Sequence, residues 1–140
     1  MDVPKKADSI GFTGSQGGMS DFQKQSLEYR LTALRSHFTW FHHGCCVGAD
    51  TQAAAVAKKL GYRIAVHPPT DESSIGNMDG DYAYPADGYL ERDRGIVNES
   101  SVLLAAPLRM VNQRRSGTWY TIRYAEKTGI PITILARMEK

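Results

Sequence analysis

The sequence predicts a single three-layer α/β domain on a mostly parallel five-stranded sheet, with strands in the order 3-2-1-4-5. Three observations predict it. Strand-like and helix-like segments alternate along the chain, the pattern of a parallel sheet covered by helices on both faces. The 140 residues match the size of one domain able to bury a core. Glycine-rich turns stand where strands hand over to helices, at the carboxyl ends of strands, where open sheets of this class bind ligands. No internal repeat or second domain is visible. Residues 8–140 read as the domain and residues 1–7 as a short loose arm.

Asp8 to Thr13 is apolar, ends in glycine and reads as the first strand. Ser20 caps the next helix, with Gln23 three residues on as its capping-box partner. Phe22, Leu27, Leu31 and Leu34 follow at helical spacing to about Arg35. Phe38 to His43 is aromatic and strand-prone, and Gly44 to Gly48 form a turn into an alanine-rich helix, Ala49 to Leu60, closed by Gly61. Tyr62 to Val66 is the third strand. Thr70 to Gly88 has no periodicity and reads as a long loop, a type that is functional or disordered in compact domains. A short helix spans Tyr89 to Asn98, a buried strand Ser101 to Ala106, a helix Gly117 to Thr128 closed by Gly129, and a last strand Pro131 to Leu135.

The composition is 41% hydrophobic and 23% charged, that of an ordinary soluble globular chain. A net charge of +2 is too small to argue for nucleic acid. The only cysteines, Cys45 and Cys46, are adjacent and lack metal-ligand spacing, so they read as reduced thiols of a cytoplasmic protein. No apolar run reaches the about 18 residues of a membrane span. The opening Met1-Asp2-Val3-Pro4-Lys5-Lys6 lacks a signal peptide's apolar region. No cofactor and no metal site is expected.

Backbone amides at glycine turns, together with a helix N-terminus, make a site for phosphate or another anion. Gly11-Phe12-Thr13-Gly14-Ser15-Gln16-Gly17-Gly18 follows the first strand. It is either a plain flexible connection or an anion loop in which Ser15 and Gln16 add side-chain bonds. It lacks a clean dinucleotide fingerprint, and no acidic residue ends the second strand to hold a ribose. In the second turn, Gly44 and Gly48 would let backbone approach a ligand. Asp50 is either a structural cap, a partner for a hydroxyl, or a residue that orders a neighbouring loop. Arg92 and Arg94 pair with Glu91 or Asp93 on a solvated face, or one of them contacts phosphate. Arg114, Arg115 and Ser116 before Gly117-Thr118 raise the same choice. His67 is a core or loop histidine, and at most one of His42 and His43 faces a given site. Tyr82, Tyr84 and Tyr89 either stack on a base or pack the long loop down. Trp119, Ile122 and Tyr124 are core or an interface.

Four motifs occur in order: Gly-Ser-Gln after strand one, His-Gly-x-x-x-Gly-Ala-Asp after strand two, Glu-Arg-Asp-x-x-Ile-Val before strand four, and Ser-Gly-Thr before the last helix. Together they resemble the SLOG superfamily over about Ser9 to Leu135. This Rossmann-like group includes LONELY GUY phosphoribohydrolases, DprA/Smf proteins, YspA- and YpsA-like proteins and molybdenum-cofactor carriers. The resemblance implies a Rossmann-like fold, a homo-oligomer and a site for nucleotides or nucleotide-like molecules. Glu91-Arg92-Asp93 resembles the hydrolases' arginine motif, which carries Arg92 over. The second hydrolase motif departs: Trp119-Tyr120-Thr121 follows Gly117-Thr118 where the hydrolases have acidic residues, and Arg114-Arg115-Ser116 replaces Pro-Gly-Gly.

The expected function is therefore binding of a phosphate-bearing nucleotide or nucleotide-derived ligand, as sensor, carrier or sponge. Gly14, Ser15 and Gln16 would hold one end. Ser116, Gly117 and Thr118 would hold a phosphate with Arg92 as its charge partner. Gly44, Gly48 and Asp50 complete the expected site. The alternatives are a phosphoribohydrolase-type enzyme cleaving an N-glycosidic bond, which lacks its carboxylate here, and a DprA-like DNA-associated module, which the weak net charge disfavours.

Overall fold

The computed structural model describes residues 2–138. Met1 of the expected arm and the last two residues of the expected domain lie outside them. The chain runs β1 (Ser9–Gly14), α1 (Asp21–Leu34), β2 (Trp40–His43), α2 (Ala49–Lys59), β3 (Arg63–Val66), β4 (Tyr82–Ala83), α3 (Tyr89–Asn98), β5 (Val102–Ala106), α4 (Gly117–Thr128) and β6 (Ile132–Ile134). Single 3-10 turns occupy Lys6–Asp8 and Glu72–Ser74.

Every strand pairing is parallel, and the sheet order is β4-β3-β2-β1-β5-β6. Among the described residues the strand count is six, not five. The additional strand is β4, inside the segment 70–88 that reads from sequence as a loop. It pairs Ala65 with Tyr82 and Val66 with Ala83 at the outer edge of β3. Two residues are too few to display a period of two, so no sequence pattern marks it. Without β4 the order is the expected one.

The faces follow from side-chain alternation along the strands. On β5, Leu104 and Ala106 join Ile10, Phe12 and Phe41 in a core covered by Leu27 and Leu31 of α1 and the alanines of α2. Leu103 packs with Val97 of α3 and Ala125 of α4 on the opposite face, and Ala105 packs there with Trp119 and Ile122. The chain thus changes faces after β3, and the crossovers diverge between β1 and β5. That divergence is the topological switch point, where a crevice opens beyond the strand ends.

The capping box at α1 is complete: Gln23 N–H donates to Ser20 Oγ at 3.1 Å and Ser20 N–H donates to Gln23 Oε1 at 3.0 Å. The Gln23 amide also donates to the carbonyls of Pro107 and Leu135, tying α1 to the end of β5 and the chain after β6. Phe22 departs from the helical core pattern, being 41% exposed. Trp119 and Ile122 are core, and Tyr124 sits half-buried with its hydroxyl donating to Asn98 Oδ1. Gly129 closes α4 in the left-handed conformation, φ 86°.

Candidate functional site

A cleft of about 680 Å³ opens at the switch point, beyond the carboxyl ends of β1 and β5. Nine of the ten expected site residues line it: Gly14, Ser15, Gln16, Gly44, Asp50, Arg92, Ser116, Gly117 and Thr118. Gly48 does not.

One wall is the turn after β1, strapped into place by its own backbone. Ser15 N–H donates to Ala106 O, and Ser15 O accepts from Gly18 N–H at 3.0 Å and Ala49 N–H at 2.9 Å. Gly17 N–H donates to Ser15 Oγ. Two missing side chains permit this closeness. A Cβ at Gly14 would sit 2.5 Å from the Ala49 Cβ, and one at Gly48 would sit 2.6 Å from the Gln16 carbonyl carbon. Gly48 also holds φ 81°, favouring glycine. Its freedom serves contact between α2 and the β1 turn. Gln16 is exposed, and among the described residues nothing accepts from its amide.

The opposite wall is the N-terminus of α4. Ser116 Oγ accepts from Trp119 N–H at 3.1 Å and Ser116 O from Tyr120 N–H. The amides of Gly117 and Thr118 have no acceptor among the described residues, as the first turn of a helix requires unless something outside supplies one. They carry the positive end of the helix dipole. Arg115 lines the cleft beside them, exposed and without an ion pair among the described residues.

The floor is a buried charged cluster. Arg92 is 7% exposed, its Nε donating to Asp93 Oδ1 at 2.8 Å and its Nη1 to Gly44 O. Nη2 lies 3.6 Å from Cys46 Sγ, and Tyr89 lies under the guanidinium with its ring centre 5.5 Å away. Asp50 accepts from the amides of Gly44 and Cys46, each at 3.2 Å. Burial pushes its carboxyl up to about 6, against the pull of Arg92. Burial likewise raises Asp93 despite Arg92 beside it. Cys45 and Cys46 are free, buried thiols, and burial pushes Cys45 up to about 12.

Of the third wall, sequence reasoning offered Tyr89 and missed Ser73, Ser74 and Leu90. These four line the cleft from the 70–88 segment and the N-terminus of α3. Tyr89 O–H and Ser74 Oγ share a hydrogen bond of 2.8 Å, and Val47 N–H donates to Ser74 O, latching the segment over the turn after β2. The available signal was the length of that segment. Tyr82 and Tyr84 lie away from the cleft. Tyr84 stacks on His67 with ring centres 4.1 Å apart, and Tyr82 packs edge-on to Trp40. His67 and His42 are joined at 2.8 Å, and His42 Nε2 meets Ser9 Oγ at 2.9 Å. Ser9 donates its proton to Lys5 O, so it accepts from His42, which in turn accepts from His67. Arg94 pairs with Glu91 and donates to Tyr120 O–H on the surface. Among the described residues no cluster of His, Cys, Asp and Glu is able to hold a metal ion, and no helix is long and apolar enough to cross a membrane.

Comparison of the sequence with protein-family models and with curated proteins gives no match. Solved structures do match. The molybdenum cofactor binding protein from Rippkaea orientalis superposes with a TM-score of 0.70 at 19% identity, covering 96% of this chain and 77% of that one. DNA processing protein A from Streptococcus pneumoniae gives 0.68 at 19%, covering 94% and 50%. The molybdenum cofactor carrier protein from Chlamydomonas reinhardtii gives 0.65 at 20%, covering 90% and 74%. The chain shares the fold of these proteins. Its cleft occupies the switch point, and four separated sequence motifs meet there. The chain spans half the length of the streptococcal protein.

Proposed function

We propose that the chain binds a phosphate-bearing, nucleotide-derived small molecule in this cleft, as a sensor, carrier or sponge in the cytoplasm. The observation that carries the reading is the open N-terminus of α4. Its unpaired Gly117 and Thr118 amides and the neighbouring Arg115 face the free Gln16 amide across a cleft of about 680 Å³, large enough for a nucleotide. The phosphate lies at Gly117 and Thr118. The donors of Arg92 are largely spent on Gly44 and Asp93, so Arg115 is the direct charge partner, and Arg92 holds the floor. Tyr89 and Leu90 offer apolar surface to the other end of the ligand.

Binding is favoured over hydrolysis by the state of the carboxylates. Asp50 is committed to two backbone amides and Asp93 to Arg92, so neither is placed to hand a proton to a leaving group. A DNA-binding role is disfavoured by the exposed acidic residues Asp71, Glu72, Asp87 and Glu91, which flank the third-wall residues in sequence and repel a polyanion. The test is mass spectrometry of small molecules released from the purified protein, followed by calorimetry with that compound or a nucleotide panel. Intact ligand recovered after incubation supports the reading. A freed base or inorganic phosphate, or no binding by any phosphate-bearing compound, overturns it.

A further inference from the structure

Two hydroxyls in the cleft have nothing to bond. Thr13 and Thr118 are each 7% exposed and both line the cleft, yet among the described residues neither hydroxyl has a hydrogen-bond partner. By contrast, the helical threonines Thr32, Thr51, Thr121 and Thr128 each donate to a backbone carbonyl. A largely buried hydroxyl left unpaired costs stability unless something else completes it. Ser100 Oγ and His43 Nε2 are also unpartnered, but they are enclosed and do not line the cleft.

Thr118 belongs to the open start of α4. Thr13 stands apart from it, and its place follows from the strand. Side chains two apart on β1 share a face. A Cβ at Gly11 would meet Ile96 of α3 at 3.1 Å and Ser100 Oγ, just past that helix, at 2.8 Å. Thr13 lies two residues further along the same face. Helix α3 runs back between two parallel strands, so one turn before Ile96 brings Arg92 and Asp93 to its level. On the other side Thr13 pairs with Ala105, which packs against Trp119 and Ile122 of α4. Thr13 therefore stands at the back of the cleft between the first turns of α3 and α4. The charge at that point is balanced. Arg92 is matched by Asp93 at 2.8 Å, which leaves no surplus cation for a second phosphate. A neutral hydroxyl fits there, since it can both donate to and accept from the threonine hydroxyl.

We propose that Thr13 is a ligand-contact residue whose hydroxyl bonds a sugar hydroxyl of the ligand. The sugar lies between the phosphate at Gly117 and Thr118 and the apolar surface of Tyr89 and Leu90, all of which line the same cleft. Phosphate, sugar and base follow one another in that order in a nucleotide. This subsite rests on the reading of the cleft as a nucleotide site and assigns the middle of the ligand.

Amide NMR titrations with inorganic phosphate and with ribose-5-phosphate test it on the wild type, Thr13→Val and Thr13→Ser. Valine keeps the shape and removes only an unpaired hydroxyl, so Thr13→Val is expected to melt no lower than the wild type. Both probes are expected to shift the Gly117 and Thr118 amides of the wild type, ribose-5-phosphate with the lower Kd. Thr13→Val is expected to bind ribose-5-phosphate about 3- to 10-fold more weakly, the change that loss of one neutral hydrogen bond gives, with no matching loss for phosphate. Thr13→Ser keeps the hydroxyl and is expected to hold the wild-type affinity. In the wild type alone, a nuclear Overhauser contact from the Thr13 methyl to the sugar protons is expected, a reading that needs no variant. Equal ribose-5-phosphate affinity in Thr13→Val and the wild type, an equal loss for both probes, or no contact between the Thr13 methyl and the sugar overturns the subsite and leaves the phosphate end intact. If neither probe shifts those amides in the wild type, the nucleotide reading falls and the subsite falls with it.

Discussion

Arg92 lies flat against the backbone of Gly44: a Cβ on residue 44 would sit 2.7 Å from the Arg92 Cζ and closer still to Nη1. The space that a side chain at this glycine would need is filled by a guanidinium. Gly44→Ala therefore pushes Arg92 off its carbonyl partner. It is expected to destabilise the fold by about 1–3 kcal/mol, the usual range for overpacking a tight site. Urea denaturation measures this. A Gly44→Ala chain as stable as the wild type would mean that Arg92 can move without loss.

The Arg92–Asp93 pair is buried, with side chains 6% and 10% exposed. Removing the arginine alone leaves a buried carboxylate without its partner, and Arg92→Ala is expected to cost about 3–5 kcal/mol. Adding Asp93→Asn removes the stranded charge and is expected to recover part of that loss. A double-mutant cycle by chemical denaturation reads the coupling, and strict additivity would contradict the pairing.

Arg115 behaves differently, because it is exposed and makes no ion pair among the described residues. Arg115→Ala is expected to change stability by no more than about 0.5 kcal/mol. It should weaken binding of a phosphate-bearing ligand by about 1.5–3 kcal/mol, the range for a charged hydrogen bond. Isothermal calorimetry beside a melting curve separates the two effects, and equal affinity for both proteins would remove Arg115 from the site.

Acid should weaken the fold through its histidines. Burial lowers His42 to about 3, His43 to about 4 and His67 to about 2, all well below the unfolded value of 6.5. Between these values the unfolded chain binds more protons than the folded one, so stability falls as the pH drops below about 6.5. Each histidine contributes a slope approaching about 1.4 kcal/mol per pH unit. Asp50 opposes them. Its carboxyl is raised by burial, so its contribution is full below the unfolded value and is lost as the pH rises through about 6. Asp93, also raised by burial, opposes them in the same sense. Three groups outweigh two, and the midpoint of urea unfolding is expected to fall between pH 7 and pH 5. His67→Gln should flatten that slope, and an unchanged slope would place the titration elsewhere.

The thiols should be silent in the folded chain. Cys45 and Cys46 are buried, and burial raises both. A thiol reagent at pH 8 is expected to react with neither until denaturant is added, and then with both. Rapid labelling of the native protein, followed by absorbance, would contradict the packing of the turn after β2.

Much of this arrangement is legible in the sequence where a local rule decides it. Ser20 with Gln23 fixes the start of α1, and Gly129 fixes the end of α4. The glycine turns lie at strand ends, so the cleft's residues could be named before its shape. Contacts between distant segments were not legible. Nothing local reveals that Gly48 faces Gln16, or that Gly44 faces Arg92, because an absent side chain does not say what fills its place. Phe22 sits at helical spacing yet points outward, since spacing gives a face and not the neighbour that covers it. Strand β4 exists only by pairing with β3, and its two residues carry no signal of their own.

The strapping of the β1 turn to α2 has a consequence for how such a cleft can diversify. Ser15, Gly14 and Gly48 join that turn, β5 and α2 into one fixed jaw, whose geometry any side chain at either glycine would break. In the 70–88 segment Gly76 makes a comparable contact with the jaw, since a Cβ there would sit 2.6 Å from Thr51 Oγ1 of α2. The 108–115 loop has no glycine, so sequence change there can retune what the cleft accepts while the jaw stays as it is.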